Sequence, residues 1–467
     1  MNITLRIAKG FAALLLLLII AMGLRWWLLP DEELDPAAVE FAATISTPPT
    51  EKNVSFLVWG FPASPELDPH AVGRRIVTEH DRLQAAQKSL AGFDPASSAF
   101  LGQTPLAFPA DYKRLCSPQE EHCLPVYLAN ATEIQARSAT YQVYLARYRK
   151  LREYEEFGSA MSRMSFESPA PQWRHIMWIS ELVDAATVQG MREPAGCQAA
   201  LEELAAEIRL WKQFLQANDV LFTQFVAVAR LHHNYMLASD LLNRFPEVAA
   251  QYPGLLQAIT EPLLPGQTNL ATSLRAEYAY GFTLMSDPEQ LHEFFLARGN
   301  TIPSAYVRAG AYRPNATLNQ YSRAFRSIVE FYTNNSPGAL HAGNDAFVRQ
   351  LRQTAQNLLV QFYEPGLNMV REVTDFDWLP FPLRIHHLIA QSRLLEIQRR
   401  LIAEQIPAGQ VATILAAWSP ELDDPFTEQP MRWDPDTHRL YFPLPEYMQF
   451  NKRWEITTSI TLEHLRQ

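Results

Sequence analysis

Two adjacent histidine pairs carry the most obvious chemistry in this chain: His232 and His233 in RLHHNY, and His386 and His387 in RIHHL. Imidazole is a common metal ligand and the usual general base near neutral pH. Helix neighbours point about 100° apart, so both members of one pair cannot easily hold the same metal. One histidine from each pair could instead meet across a helix interface, with Asp240 or Glu396 completing a site. The plainer alternative is that His232 and His387 border the core and bond locally. A second concentration of chemistry lies at residues 423–442, DDPFTEQPMRWDPDTHRLYF, with four aspartates and three prolines. A Ca²⁺ loop would show alternating acids, a glycine and a closing glutamate, and these are missing. The acids instead flank prolines, where turns need them. The stretch therefore reads as a hairpin-like box, with Met431–Trp433 and Arg439–Phe442 as strands around the turn DPDT. It is expected to dock Phe426, Trp433, Tyr441 and Phe442 on the rest of the chain.

Glu167 precedes a serine in SFESPA. A Glu–Ser pair resembles the start of the catalytic motif of lytic transglycosylases, where the glutamate is a general acid. The other motifs of that family are missing, and Pro169 suits a loop. Glu167 and the four histidines are the weak site candidates. The nucleophile elbow, the phosphate-binding loop, the dinucleotide fingerprint and the H-E-x-x-H zinc motif are all absent. The cysteines lack the paired spacing of a zinc site, and neither a metal nor another cofactor is expected.

The surrounding elements set the context for these residues. The chain has 467 residues and a net charge of −10, which excludes the electrostatic footprint of a nucleic-acid binder. Hydrophobic residues make up 48% and glycines number only 18. Low glycine argues against an all-β protein dense in tight turns. Phe11 to Leu24 is uninterrupted apolar sequence, and RWWLLP extends it to Leu29. At about 1.5 Å per residue this reaches across a hydrocarbon core of roughly 30 Å if Arg25 snorkels. Trp26 and Trp27 suit the membrane interface. A signal peptidase requires small residues after the apolar run, and bulky ones follow here, so the expectation is an uncleaved single-pass anchor. Arg6 and Lys9 precede the span, and Asp31, Glu32, Glu33 and Asp35 follow it. The positive-inside rule then places the N-terminus in the cytoplasm and the body in the periplasm. In that oxidising compartment Cys116 and Cys123 are expected to form a disulfide, worth about 2.5 kcal/mol of loop entropy. Cys197 is left over as a partly buried helix residue.

The coarse organisation is an anchor at 1–29, a linker at 30–52, helical regions at 53–262 and 263–422, and the box at 423–467. The segment NVSFLVWGF, 53–61, is apolar and β-branched and reads as a short strand or extended core segment. Asp68 and Pro69 open a helix. Apolar residues from Tyr127 to Tyr148 alternate steps of four and three, predicting one helix over 127–157. The longest pattern runs from 198 to 243 with a break at Asn218–Asp219. Further patterns cover 173–190, 247–260, 268–280, 288–298, 317–333, 342–363, 383–405 and 408–418. The fold class expected is mainly α: one N-terminal transmembrane helix, a multi-helix ectodomain and a small C-terminal hairpin-like box.

The anchor, then NVSFLVWGFPASPELDPHAVGRR, CSPQEEHCLP, YLARYRKL and the tail DPFTEQPMRWDPDTHRLYF together resemble an uncharacterised family of signal-anchored inner-membrane/periplasmic proteins of Gram-negative bacteria. The tail resembles a box that usually reads D-P-[FY]-[ST]-G-x-P-[LF]-x-[YW]. Glu428 stands at its glycine position, so the local backbone is expected to differ. The resemblance implies an inner-membrane anchor and a periplasmic body and supplies no catalytic residues. The resulting expectation is a non-enzymatic protein-binding or scaffold protein, of immunity or accessory type. Its partners would be membrane lipid through the N-terminal helix and a protein in the envelope. The alternative is an envelope hydrolase or a lipid- or peptidoglycan-handling enzyme.

Overall fold

The computed structural model describes residues 31–43, 49–86, 90, 93–108, 112–116, 122–161, 168–192, 194–217, 220–263, 270–297, 299, 307, 312–355, 376–442 and 459–462; for 194, 195, 354, 355, 459 and 461 it describes the backbone alone. The expected anchor, Phe11 to Leu29 with Trp26 and Trp27, lies outside these residues, as does Glu167. Among the described residues no helix is long and apolar enough to cross a membrane.

The chain is mainly helical. Helix α1 spans Pro36–Ala43, α2 Val54–Gly60, α3 Pro69–Ala85 and α4 Ser98–Leu101. Then come α5 (Cys123–Ala129), α6 (Ala131–Thr140) and α7 (Gln142–Lys150), followed by α8 (Trp173–Gly190), α9 (Pro194–Gln216) and α10 (Leu221–Arg244). The second half holds α11 (Val248–Gln251), α12 (Pro253–Thr260), α13 (Ala271–Ser286), α14 (Pro288–Ala297), α15 (Pro314–Asn334), α16 (Pro337–Ala355), α17 (Pro380–Ala403) and α18 (Val411–Ala417). One continuous buried cluster joins α2, α5–α10, α13, α15 and α17, with Trp211, Phe214, Ile208 and Leu231 at its centre.

Residues 53–61 are helical, which corrects the expectation of a strand. Asn53 caps α2 by accepting the Ser55 N–H at 2.8 Å. The helix then crosses α3 at backbone contact. A Cβ on Gly60 would fall 1.7 Å from the Pro69 carbonyl oxygen, and one on Gly73 1.7 Å from that of Phe56. Two glycines in register let the helices approach this closely, and an isolated apolar run does not reveal that partner. The predicted single helix over 127–157 is also corrected. It divides at Asn130 and Tyr141, whose backbones (φ −106°, ψ 31° and φ −102°, ψ 24°) leave helical geometry. The face survives the breaks, since Tyr127, Ile134, Leu145 and Tyr148 are all buried.

Residues 31–43, within the stretch assigned to the linker, pack on the helical body. Asp31 accepts the N–H groups of Asn315 (2.9 Å) and Ala316 (3.1 Å) and so caps α15 from a distant part of the chain. Tyr278 donates its hydroxyl to the Ala38 carbonyl at 3.0 Å.

The C-terminal box forms the expected hairpin and adds a strand. β1 (Arg432–Asp434) and β2 (Arg439–Tyr441) pair antiparallel with Trp433 opposite Leu440, and β3 (Ser459–Thr461) joins the free edge of β2. Asp434 organises the turn: it accepts the Asp436 N–H at 3.0 Å and the Thr437 hydroxyl at 2.6 Å. Phe442, Leu440, Met431 and Phe426 bury themselves against Leu383, Leu394, Ile397 and Leu401 of α17. Trp433 and Tyr441 are only half-buried.

The backbone at Glu428 is left-handed. Glu428 adopts φ 54°, the left-handed conformation glycine would take. The turn is closed by Asp424 N–H to Gln429 O and Glu428 N–H to Asp424 O, both 2.8 Å. Left-handed geometry costs a non-glycine residue roughly 1–2 kcal/mol. Glu428→Gly should therefore raise the unfolding free energy by about 1 kcal/mol, read as a higher Tm of the purified chain. An unchanged or lower Tm would mean the Glu428 side chain contributes as much as the strain costs.

Candidate functional site

The histidine pairs divide between different interfaces, as their angular separation requires. His232 and His387 do meet between α10 and α17, with ring centroids 6.2 Å apart. His232 Nδ1 is engaged by Gln391 Oε1 at 2.7 Å, and His387 packs edge-on to Phe442, centroids 5.2 Å apart. The acids expected to complete a site are committed elsewhere, which corrects that reading. Asp240 is held by His122 Nδ1 at 2.7 Å, and Glu396 by Thr260, Arg399 and Arg400 at 2.5–2.8 Å. Among the described residues no three His, Cys, Asp or Glu side chains could hold a metal ion. His233 faces the opposite way, into the centre of the bundle.

There it joins a polar network that the sequence reading missed. Glu181, Asp184 and Glu207 are wholly buried on α8 and α9, each beside an arginine. Glu181 accepts from Arg114 Nε (3.0 Å) and from the Cys116 N–H (2.9 Å). This ties the Cys116–Cys123 disulfide, Cα to Cα 5.7 Å, to the bundle. Glu207 accepts from Tyr148 (2.6 Å), Ser180 (3.1 Å) and Arg152. Asp184 pairs with Arg230, and His233 Nε2 lies 3.4 Å from the same carboxylate and 3.2 Å from the Tyr127 hydroxyl. Burial pushes the Asp184 carboxyl up to about 7 against the pull of Arg230. Burial also disfavours charge on Arg230, but Asp184 holds it well above its ordinary value. The signal in the sequence is ISELVDAA, where apolar residues surround the acids on every side of the helix and leave no polar face to water.

A cleft of about 610 Å³ opens between the C-terminal box and the helices. Tyr332, Asn335, His386, Arg393, Asp423, Asp424 and Glu428 line it. Arg393 donates to the Asp423 carbonyl at 2.5 Å. Asp423 Oδ2 accepts from Ser419 at 2.8 Å, and its Oδ1 is buried with no partner among the described residues. Asp424 accepts the Phe426 N–H (3.0 Å) and the Thr427 hydroxyl (2.7 Å). Burial raises the Asp424 carboxyl despite those bonds. Burial lowers the Arg393 guanidinium, with Asp423 and Asp424 acting the other way. No family model matches the chain, and no curated protein or solved structure matches it either. The chemistry has to be argued from these side chains.

Burial, with Arg393 nearby, depresses His386 to about 4, and burial with Arg174 does the same to His175. In an unfolded chain these rings protonate near their ordinary value of 6.5. Between the two values the unfolded state binds more protons. Their contribution to stability is thus complete above pH 6.5 and is lost as pH falls toward 4. Asp184, raised on folding, acts in the opposite sense over 3.8 to 7. The ring-proton NMR shifts of His386 and His175 should therefore titrate near pH 4. Titration near 6.5 would show that the rings are solvated.

A third arrangement lies between α3 and the segment before α8. His80, wholly buried, places Nε2 2.8 Å from Ser168 Oγ and Nδ1 3.1 Å from Asp81 Oδ1. Ser168 opens on a groove of about 290 Å³ lined mainly by apolar and aromatic side chains. The sequence reading singled out the neighbouring Glu167 and passed over Ser168. His80 and Ser168 are 88 positions apart, and no local pattern links them.

Proposed function

We propose that this chain is a single-pass inner-membrane protein of the signal-anchored envelope family it resembles. Phe11–Leu29 is the anchor and the helical body stands in the periplasm. It acts by binding a protein partner, as a scaffold or as an immunity or accessory protein, and the cleft against the C-terminal box is where the partner docks. The observation that carries this reading is Glu428. A non-glycine residue held at φ 54° on the cleft's edge is strain at a surface site, and such strain concentrates at binding sites. The cleft's lining also offers both signs of charge, Arg393 together with Asp423, Asp424 and Glu428. Complementary charge of this kind supplies specificity and orientation in protein recognition.

The test is affinity capture from detergent-solubilised membranes. Wild type should retain one stoichiometric protein. Glu428→Lys should lose it while keeping the wild-type Tm, and Arg393→Glu should lose it with a lowered Tm, because the bond to the Asp423 carbonyl goes too. Absence of any partner across several detergents would sink the binding reading, and a partner retained by both variants would remove the cleft from it. The rival, an envelope hydrolase or a lipid- or peptidoglycan-handling enzyme, draws no support from His232, His233 and His387, which contact Gln391, Asp184, Tyr127 and Phe442; His386 lines the cleft itself.

A further inference from the structure

We propose that Ser168, His80 and Asp81 form an acyl-transfer site that hydrolyses carboxylic esters with an apolar acyl group. An ionised carboxylate can only accept hydrogen bonds. Asp81 therefore fixes the His80 proton on Nδ1, 3.1 Å away, and leaves the Nε2 lone pair facing Ser168 Oγ at 2.8 Å. The Ser168 hydroxyl then donates to Nε2. That is the geometry in which a base activates a weak nucleophile while a third group orients the base. A histidine that served only as core packing would need one acceptor for its single N–H. Here both ring nitrogens are engaged, and the nucleophile's side opens on a groove.

The groove supplies the substrate class. Val58, Trp59, Trp173, Phe214 and Phe222 give it apolar walls, and Phe222 stands 55% exposed. A surface aromatic of that exposure beside a pocket suits an acyl chain entering from solvent or from a bilayer. Ser55 and Ser159 line the same groove. Their oxygens accept the N–H groups of Ala160 (3.2 Å) and Met161 (3.3 Å), which leaves each hydroxyl proton to be donated. Hydroxyl donors in the same groove as a nucleophile can stabilise the oxyanion of a tetrahedral intermediate.

The reaction balances as ester plus water giving acid plus alcohol. Ser168 Oγ attacks the carbonyl carbon as its proton moves to His80 Nε2. The C–O bond to the alcohol breaks, and His80 returns that proton to the departing oxygen. Water then attacks the acyl-serine, again giving its proton to His80. The serine–acyl bond breaks, and His80 returns the proton to Ser168. Asp81 touches no reacting atom and acts as a positioning residue.

This inference stands apart from partner binding, because the groove and the cleft have different linings, and variants of one leave the other intact. The test uses the solubilised full-length chain and a fluorophosphonate probe, with adducts mapped by mass spectrometry. One stoichiometric adduct on Ser168 is expected, absent from urea-unfolded protein and from Ser168→Ala. His80→Gln should slow labelling at least ~100-fold, the lower bound for losing a general base. Asp81→Asn should slow labelling at pH 7 and move its pH profile downward, since a lost carboxylate no longer favours the imidazolium; a structural role alone would not move that profile. Hydrolysis of p-nitrophenyl butyrate and octanoate should disappear in Ser168→Ala at unchanged Tm. A folded wild type that gives no Ser168 adduct, or an adduct unaffected by His80→Gln at unchanged Tm, would overturn the assignment.

Discussion

Replacing Arg230 by methionine should lower the unfolding free energy by about 3–5 kcal/mol, the usual cost of removing one partner of a buried ion pair. Arg230 is 1% exposed and its partner Asp184 not at all. Without the guanidinium, Asp184 keeps its desolvation penalty and loses its counter-charge. It would then be left with His233 Nε2 at 3.4 Å, on a ring that burial and nearby cations keep hard to protonate. Replacing both residues, Arg230→Met with Asp184→Leu, should recover most of the loss, because two apolar side chains of similar size leave no charge behind. The measurement is a double-mutant cycle in urea. If the single replacement costs under 1 kcal/mol, the pair is hydrated and the network is no buried core. The same cycle decides whether the network serves packing or specificity, since a double variant that folds loosely would show a lower m-value.

Gly73→Ala should cost about 3 kcal/mol, toward the upper end for overpacking. The obstacle is backbone: the new methyl would sit 1.7 Å from the Phe56 carbonyl oxygen and 2.9 Å from the Gly60 nitrogen. Neither can move aside as a flexible side chain would, so α2 and α3 must separate. Gly254→Ala is the control. Nothing lies within 4 Å of its added methyl, and the intrinsic helix preference of alanine should leave stability equal or raised by up to about 1 kcal/mol. The crossing also has a functional side. Helix α2 carries Ser55, Val58 and Trp59 of the groove, while α3 carries His80 and Asp81. A shift between the two helices should therefore slow Ser168 labelling as well as lower Tm. An unaltered Tm in Gly73→Ala would show that the two helices can separate at no cost.

Periodicity alone located most helices to within a few residues. The pattern at 173–190 became Trp173–Gly190, and that at 383–405 became Pro380–Ala403. Both are buried on nearly every side in their central turns, so a long apolar run without a breaker marks them as helix. The hairpin at 432–441 was equally legible, because an Asp–Pro turn between two short apolar runs determines its own register. The cysteine pair could be matched because only seven positions separate its members.

What the sequence by itself determined is therefore local: which long segments are helical, which turn closes the box, and which cysteines are neighbours. What only the tertiary structure decided depends on partners distant in the chain. Residues 54–60 became a helix that packs on a second one because Gly60 on the first and Gly73 on the second allow backbone contact. His232 and His387 met, but the acids that might have joined them were taken by His122 and by Thr260, Arg399 and Arg400. Glu181 and Asp184 stand out in the sequence only as acids among apolar neighbours, and the arginines that pair with them, Arg114 and Arg230, come from other segments. Ser168 sits next to the glutamate that the sequence highlighted, yet His80 is the residue that gives it a chemistry. A hydrogen bond depends on ångströms in space, and separation along the chain does not report them.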